Sequence, residues 1–230
     1  MTFALRWLCA RRAAHRTVRV RYKAASDPRC PPAILAKLSW DQDVGIRLAV
    51  ATHLDCPLTA LDQLSDDPDR EVRRQVAGHP HCTPGILAQL AQNAEQYIVA
   101  GGMGYFNMMT DTGVREAVAS NLNTPPDILR QLSCLQPLEL PDNPDAPVTA
   151  MDVAGRSFTV ACKHVWQPEV QRIVLKVAAN HNTPPGTLTS MLSSNNPKIV
   201  QAALSNPSLP RHVLAMWQLA SQGSDVCSPV

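Results

Sequence analysis

Three cysteines, Cys30, Cys56 and Cys82, recur at a constant spacing of 26, and the residues around them recur with them. A fixed period of this length marks a chain built from stacked copies of one small unit. Aligned on it, the first junctions read Arg29-Cys-Pro-Pro-Ala-Ile-Leu35, Asp55-Cys-Pro-Leu-Thr-Ala-Leu61 and His81-Cys-Thr-Pro-Gly-Ile-Leu87. Three more follow: Asn123-Thr-Pro-Pro-Asp-Ile-Leu129, Asn182-Thr-Pro-Pro-Gly-Thr-Leu188 and Ser208-Leu-Pro-Arg-His-Val-Leu214.

Each unit shows helical spacing twice. Leu35, Leu61, Leu87, Leu129, Leu188 and Leu214 form one column, and Leu38, Leu64, Leu90, Leu132, Met191 and Trp217 follow three residues later. That i, i+3 step puts both on one face of a short helix. In the other half of the unit, Val20, Ile46, Val72, Val114, Ile173 and Ile199 lie four residues before Ala24, Val50, Val76, Val118, Val177 and Ala203. An i, i+4 apolar stripe is a second short helix. Two such helices cannot enclose a core alone, but six stacked pairs bury a continuous one, so the predicted fold is an all-α repeat solenoid.

The junctions account for the composition. The chain has 20 Pro against 10 Gly, and most prolines fall where the second helix of a unit begins. In Thr124-Pro125-Pro126-Asp127 the threonine hydroxyl is a predicted helix cap, proline suits the first turn, and aspartate favours the positive helix end. Three residues before the cap stand Asp27, His53, His79, Asn121, Asn180 and Asn206. These types tolerate left-handed backbone, so that column is expected to stop the preceding helix.

These residues resemble the leucine-rich repeat variant family. The matches are Val72-Arg73 onward to Leu90, Val114-Arg115 onward to Leu132, and Asn180-His-Asn-Thr-Pro-Pro185. The resemblance covers roughly residues 18–220 apart from two insertions. It implies a right-handed superhelix of alternating α and 3₁₀ helices, serving mostly as an interaction surface. The family's best-described member adds an iron–sulfur cluster on clustered N-terminal cysteines. Here only Cys9 precedes the repeats, so no cofactor is expected.

The period breaks twice. The step from Val72 to Val114 is 42 instead of 26, and the extra stretch carries Gly101, Gly102, Met103, Gly104, Tyr105, Phe106, Met108 and Met109. Glycine with adaptable methionine and aromatic side chains suggests a binding loop over about 99–113. The step from Val114 to Ile173 is 59, longer than the period by 33. This insertion, about 134–167, opens with Pro137, Pro141, Pro144 and Pro147. It continues as a predicted β-hairpin, Val148–Val153 and Ser157–Cys162, around Ala154-Gly155-Arg156. The expected organisation is a basic N-terminal segment (1–17), the solenoid (18–220) and a tail (221–230).

Charge is polarised along the chain. Residues 1–30 carry eight basic side chains against one acidic, and the remainder carries 13 against 18. Arg21, Arg47, Arg73 and Arg115 share one column. As a stripe they suit a carboxylate-rich peptide or a phosphate backbone. The alternative is a salt-bridged lattice in which they answer Asp43, Asp69 or Glu116. The seven cysteines form no Cys-x-x-Cys pair, which suits a reducing cytoplasm rather than a disulfide scaffold. The cysteine column is expected to be buried in place of threonine, since neighbouring units lie too far apart for bridging or one shared metal. His79-x-His81 beside Cys82 lacks a carboxylate to complete a metal site. Gly-Gly-Met-Gly lacks the Lys-Ser/Thr of a phosphate loop. No catalytic constellation emerges, and no apolar run is long enough to span a membrane.

The sequence thus predicts a non-catalytic protein-interaction scaffold. Its expected contacts are Arg21, Arg47, Arg73, Arg115, Met103, Tyr105, Phe106 and Met108, with no metal ligand and no small-molecule substrate. A second reading is nucleic-acid binding through the basic N-terminus and the arginine column. A third is a redox or metal-linked accessory role.

Overall fold

The computed structural model describes residues 3–100, 104–134, 148–151, 157–160 and 167–223, with side chains described over 7–92, 112–134 and 170–220. Among the described residues the chain forms thirteen helices and one two-stranded hairpin. It is an all-α repeat solenoid. The first helices of the six pairs are α2 (Val18–Ala25), α4 (Val44–Ala51), α6 (Arg70–Gly78), α8 (Gly104–Ser120), α10 (Gln167–Ala179) and α12 (Pro197–Ser205). The second helices are α3 (Pro32–Leu38), α5 (Leu58–Ser65), α7 (Pro84–Ala100), α9 (Pro126–Ser133), α11 (Pro185–Met191) and α13 (Arg211–Gly223). First helices stack on one another from α2 through α12, and second helices line up beside them.

One continuous core runs through the stack, from Cys9 to Leu209. Leu35, Leu61, Leu87, Leu129 and Leu188 are fully buried at its centre. Truncating one such leucine to alanine costs about 2–5 kcal/mol. Ile46, Val72, Val114, Ile173 and Ile199 meet them from the first helices, with Val50, Val76, Val118 and Val177 one turn on. The ends are less complete: Val20, Leu214 and Trp217 are half-buried. A further column, absent from the sequence reading, consists of fully buried Ala25, Ala51, Ala77, Ala119 and Ala178. Their small side chains let neighbouring first helices approach closely.

The basic N-terminal segment contributes α1 (Phe3–Ala13), which packs on α2 and α3 and buries Cys9. The second helices are short α-helices of seven or eight residues in α3, α5, α9 and α11. The resemblance implied 3₁₀ helices there. Pro31 O accepts from both Ile34 N and Leu35 N, so the tighter pattern is confined to the first turn of α3.

The described residues of the first insertion, 99–100 and 104–113, are helical where a loop was expected. The extra residues lengthen α7 and α8 to 17 residues each. Ala91 to Ala100 contains neither glycine nor proline, so nothing stops α7 at the usual place. Gly113 lies within α8, where a Cβ would come 3.3 Å from Cδ of Arg74 on α6. From the second insertion the described residues are an antiparallel hairpin, β1 (Val148–Met151) with β2 (Ser157–Val160), pairing Val148 with Val160 and Met151 with Ser157. The rest of the two expected strands, residues 152–153 and 161–162, lies outside the described residues. No helix among the described residues is long and apolar enough to cross a membrane.

Candidate interaction surface

Two lines of turns join the helices, and each carries its own side-chain ladder. Where a first helix gives way to a second, His53 Nε2 contacts Asp27 O at 2.9 Å and His79 Nε2 contacts His53 O at 3.0 Å. Asn121 Nδ2 donates to Ala77 O and His79 O at 2.7 and 3.0 Å. Asn180 donates to Ala119 O and Asn121 O, and Asn206 to Ala178 O and Asn180 O. Each residue thus reaches back to its counterpart one unit earlier. The other polar atom accepts from the backbone N–H two residues on, as His79 Nδ1 does from His81 N at 3.1 Å. At His79 and Asn206 this is not the left-handed helix stop the sequence suggested. His79 and Asn206 have extended backbone, with φ near −71° and −76°, because the side chain must point back along the stack.

The threonine–cysteine column lies beside this ladder. Thr124 and Thr183 donate to Val118 O and Val177 O, each at 2.5 Å, instead of capping the following helix. Pro125 and Pro184 occupy the cap positions. Cys30, Cys56 and Cys82 take the threonine place and are buried. Desolvation pushes all three thiols up to about 12, so the reactive thiolate is suppressed. Cys9 stands next to Cys30 and reinforces its shift. Both ring nitrogens of His79 are engaged in the ladder, and no cluster suited to a metal ion occurs among the described residues.

On the opposite line of turns, Arg21 Nε and Nη2 meet Asp41 Oδ2 and Oδ1 at 2.6 and 3.0 Å. Arg47 repeats this with Asp67 at 2.6 and 3.0 Å. Each Nη1 also closes the turn before its own helix: that of Arg47 donates to Asp41 O and Gln42 O, and that of Arg73 to Asp67 O and Pro68 O. The lattice reading therefore holds for Arg21 and Arg47, but with different acids. Asp43 and Asp69 cap α4 and α6 instead, accepting from Ile46 N and from Glu71 N and Val72 N. Hydrogen bonding from Arg21 holds the Asp41 carboxyl below its ordinary range. Arg73 and Arg115 are 5% and 8% exposed, too buried to present a guanidinium to a partner. Met103 lies outside the described residues. Tyr105, Phe106 and Met108 lie on α8, with side chains outside the described set.

Beside the arginine clamps the surface opens into a groove of about 700 Å³, across the C-terminal ends of α3 and α5. Asp41, Asp62, Asp66 and Asp67 line it against one guanidinium, Arg47, which is already bonded to Asp67. Ser39 O accepts from Gln63 Nε2 at 2.9 Å, and both Asp66 oxygens accept from Gln89 Nε2 at 3.0 Å. Trp40 stands at the rim, 74% exposed. Sequence reasoning missed this residue, although its column otherwise carries Asp66, Gln92, Cys134, Ser193 and Leu219, and the one aromatic among them is the available signal.

No protein-family model and no curated protein matches the sequence. Among solved structures the chain is similar to a leucine-rich repeat variant with a novel repetitive structural motif, at 23% identity and TM-score 0.36, covering 94% of this chain and 80% of that one. It is also similar to an engineered protein (13% identity, TM-score 0.38, 95% and 98% covered) and to a designed armadillo repeat protein (11%, 0.39, 91% and 98%).

Proposed function

We propose that the chain is a non-catalytic scaffold of leucine-rich repeat variant type, and that its groove at residues 39–41 and 62–68 binds a basic segment of a protein partner. The observation that carries this reading is Trp40, 74% exposed beside the exposed carboxylates of Asp62 and Asp66. An exposed indole face attracts a guanidinium or ammonium group, and carboxylates at its side complete the recognition. The sign of the partner is therefore opposite to the carboxylate-rich peptide that the arginine column suggested. Those guanidiniums are paired with Asp41 and Asp67, so the excess negative charge that the groove turns to solvent is that of Asp62 and Asp66. Met103, Tyr105, Phe106 and Met108 form a proposed second contact, whose removal as Tyr105→Ala/Phe106→Ala should weaken binding further.

The test is capture of partners with the wild-type chain, with Trp40→Ala and with Asp62→Asn/Asp66→Asn, followed by mapping of the segment bound. Substitution of such exposed residues changes stability by only about 0.5 kcal/mol. The expected result is a Lys/Arg-rich segment bound at least ten-fold more weakly by either variant, at unchanged melting temperature. An acidic segment, or equal binding by all three proteins, overturns the proposal.

A further inference from the structure

At the start of the stack α1 packs on the first pair of helices, and the exposed charged side chains described on α1, on α2 and in the turn between them are of one sign. In later units the positions equivalent to Arg19 and Lys23 hold Gly45 with Ala49, Glu71 with Gln75, Gly113 with Ala117, Arg172 with Lys176, and Lys198 with Ala202, so a doubly cationic pair recurs in only one of them. In the first unit Arg19 and Lys23 are both exposed. Arg16, in the turn before α2, and Arg11 on α1 are exposed beside them. Arg11 lies 5.3 Å over the Trp7 ring, which is 61% exposed, and Tyr22 is 48% exposed. Asp27 is the one acidic residue before residue 41 and is approached by Arg12 and Arg29 at 4.0 and 3.7 Å. An end cap needed only for solubility would mix both signs.

We infer that this cationic surface of α1, α2 and the turn between them binds the phosphate backbone of nucleic acid, without reading its sequence. The cations are mostly arginine, whose planar fork pairs bidentately with phosphate, and Trp7 and Tyr22 offer faces on which unpaired bases stack. A membrane-surface helix would gather its apolar residues on one face opposite the cations. Here Trp7 and Arg11 share one helical stripe, one turn apart, and the exposed apolar residues are divided between α1 and α2. The site is separate from the acidic groove, so the two stand or fall independently.

The experiment is fluorescence anisotropy of the full chain with a labelled single-stranded oligonucleotide across a salt series. With about four phosphates neutralised, log K should fall with log salt at a slope near −3. Arg19→Gln/Lys23→Gln should weaken binding at least ten-fold at low salt and reduce the slope by about 1.4. Arg11→Gln/Arg16→Gln provides an independent pair should the first alter folding, and Trp40→Ala should bind the oligonucleotide like wild type. No binding at low salt, a slope near zero, or wild-type affinity in both glutamine pairs overturns the inference. So does binding to vesicles containing phosphatidylserine without binding to the oligonucleotide.

Discussion

Histidine and asparagine exchange within one column because each carries an acceptor and a donor on a planar group. Asp27, with acceptors only, suffices in the first unit, where no earlier first helix offers a carbonyl; its Oδ1 accepts from Arg29 N at 3.0 Å. For His79 the equivalence holds only in the neutral form. Nδ1 must accept from His81 N, so Nε2 is the atom that donates to His53 O. Burial lowers the His79 pKa from the ordinary value of 6.5, with His81 and His53 lowering it further and the bond to His53 O opposing them. The unfolded chain therefore binds a proton at His79 that the folded chain resists, and the stability this neutral group supports above about pH 6.5 is lost as pH falls below it. His79→Asn should keep both hydrogen bonds and remove that loss. The expected outcome is a wild-type urea midpoint that drops more steeply than the variant's between about pH 7.5 and about pH 5. Parallel curves would show that His79 is not responsible. The column's polar character was legible in the sequence, but its task was not. Residue preference speaks for local backbone, whereas the ladder depends on a carbonyl one full unit away.

Helices were legible where large apolar residues repeat. The leucine and valine columns predicted both helices of each unit, and all but their end members are buried. The alanine column was not legible, because alanine is common and suits any helical position. Yet Ala77 is fully buried where α6 stacks between α4 and α8. Filling such a site forces neighbours off their rotamers, so Ala77→Leu should cost about 1–3 kcal/mol. Ala215→Leu, at an exposed position on α13, should change stability by no more than about 0.5 kcal/mol. Equal urea midpoints for the two variants would mean that the first helices are not closely apposed. The lengthened α7 and α8 escaped notice for another reason. Four glycines between 101 and 113 suggested a loop, but Gly113 answers to Arg74 on a neighbouring helix, a fact of packing rather than of local sequence.

Over the whole molecule, stability is close to a sum of units and their nearest-neighbour contacts. That makes the second insertion a decisive place to test the architecture. The step from Val114 to Ile173 is more than twice the period, while α10 packs directly on both α8 and α9. The stack therefore continues across the insertion as it does elsewhere. The same logic explains how a chain with few net charges can display opposite fields. Arg21 and Arg47 are consumed by Asp41 and Asp67, while Arg16, Arg19 and Lys23 near the start of the stack and Asp62 and Asp66 in the groove beyond are exposed. Replacing residues 134–170 by the short turn Asp66–Asp69 restores the regular period and supplies an aspartate cap for the shortened α10. It also sets a carboxylate in the same register to Arg115 that Asp67 has to Arg47. Among the described side chains the chimera gives up the burial of Val170, worth about 2 kcal/mol, and that is the loss expected. It should unfold in one transition, with undiminished helical circular dichroism per residue of solenoid. A broadened or split urea transition would instead make residues 134–170 part of what joins the two halves of the stack.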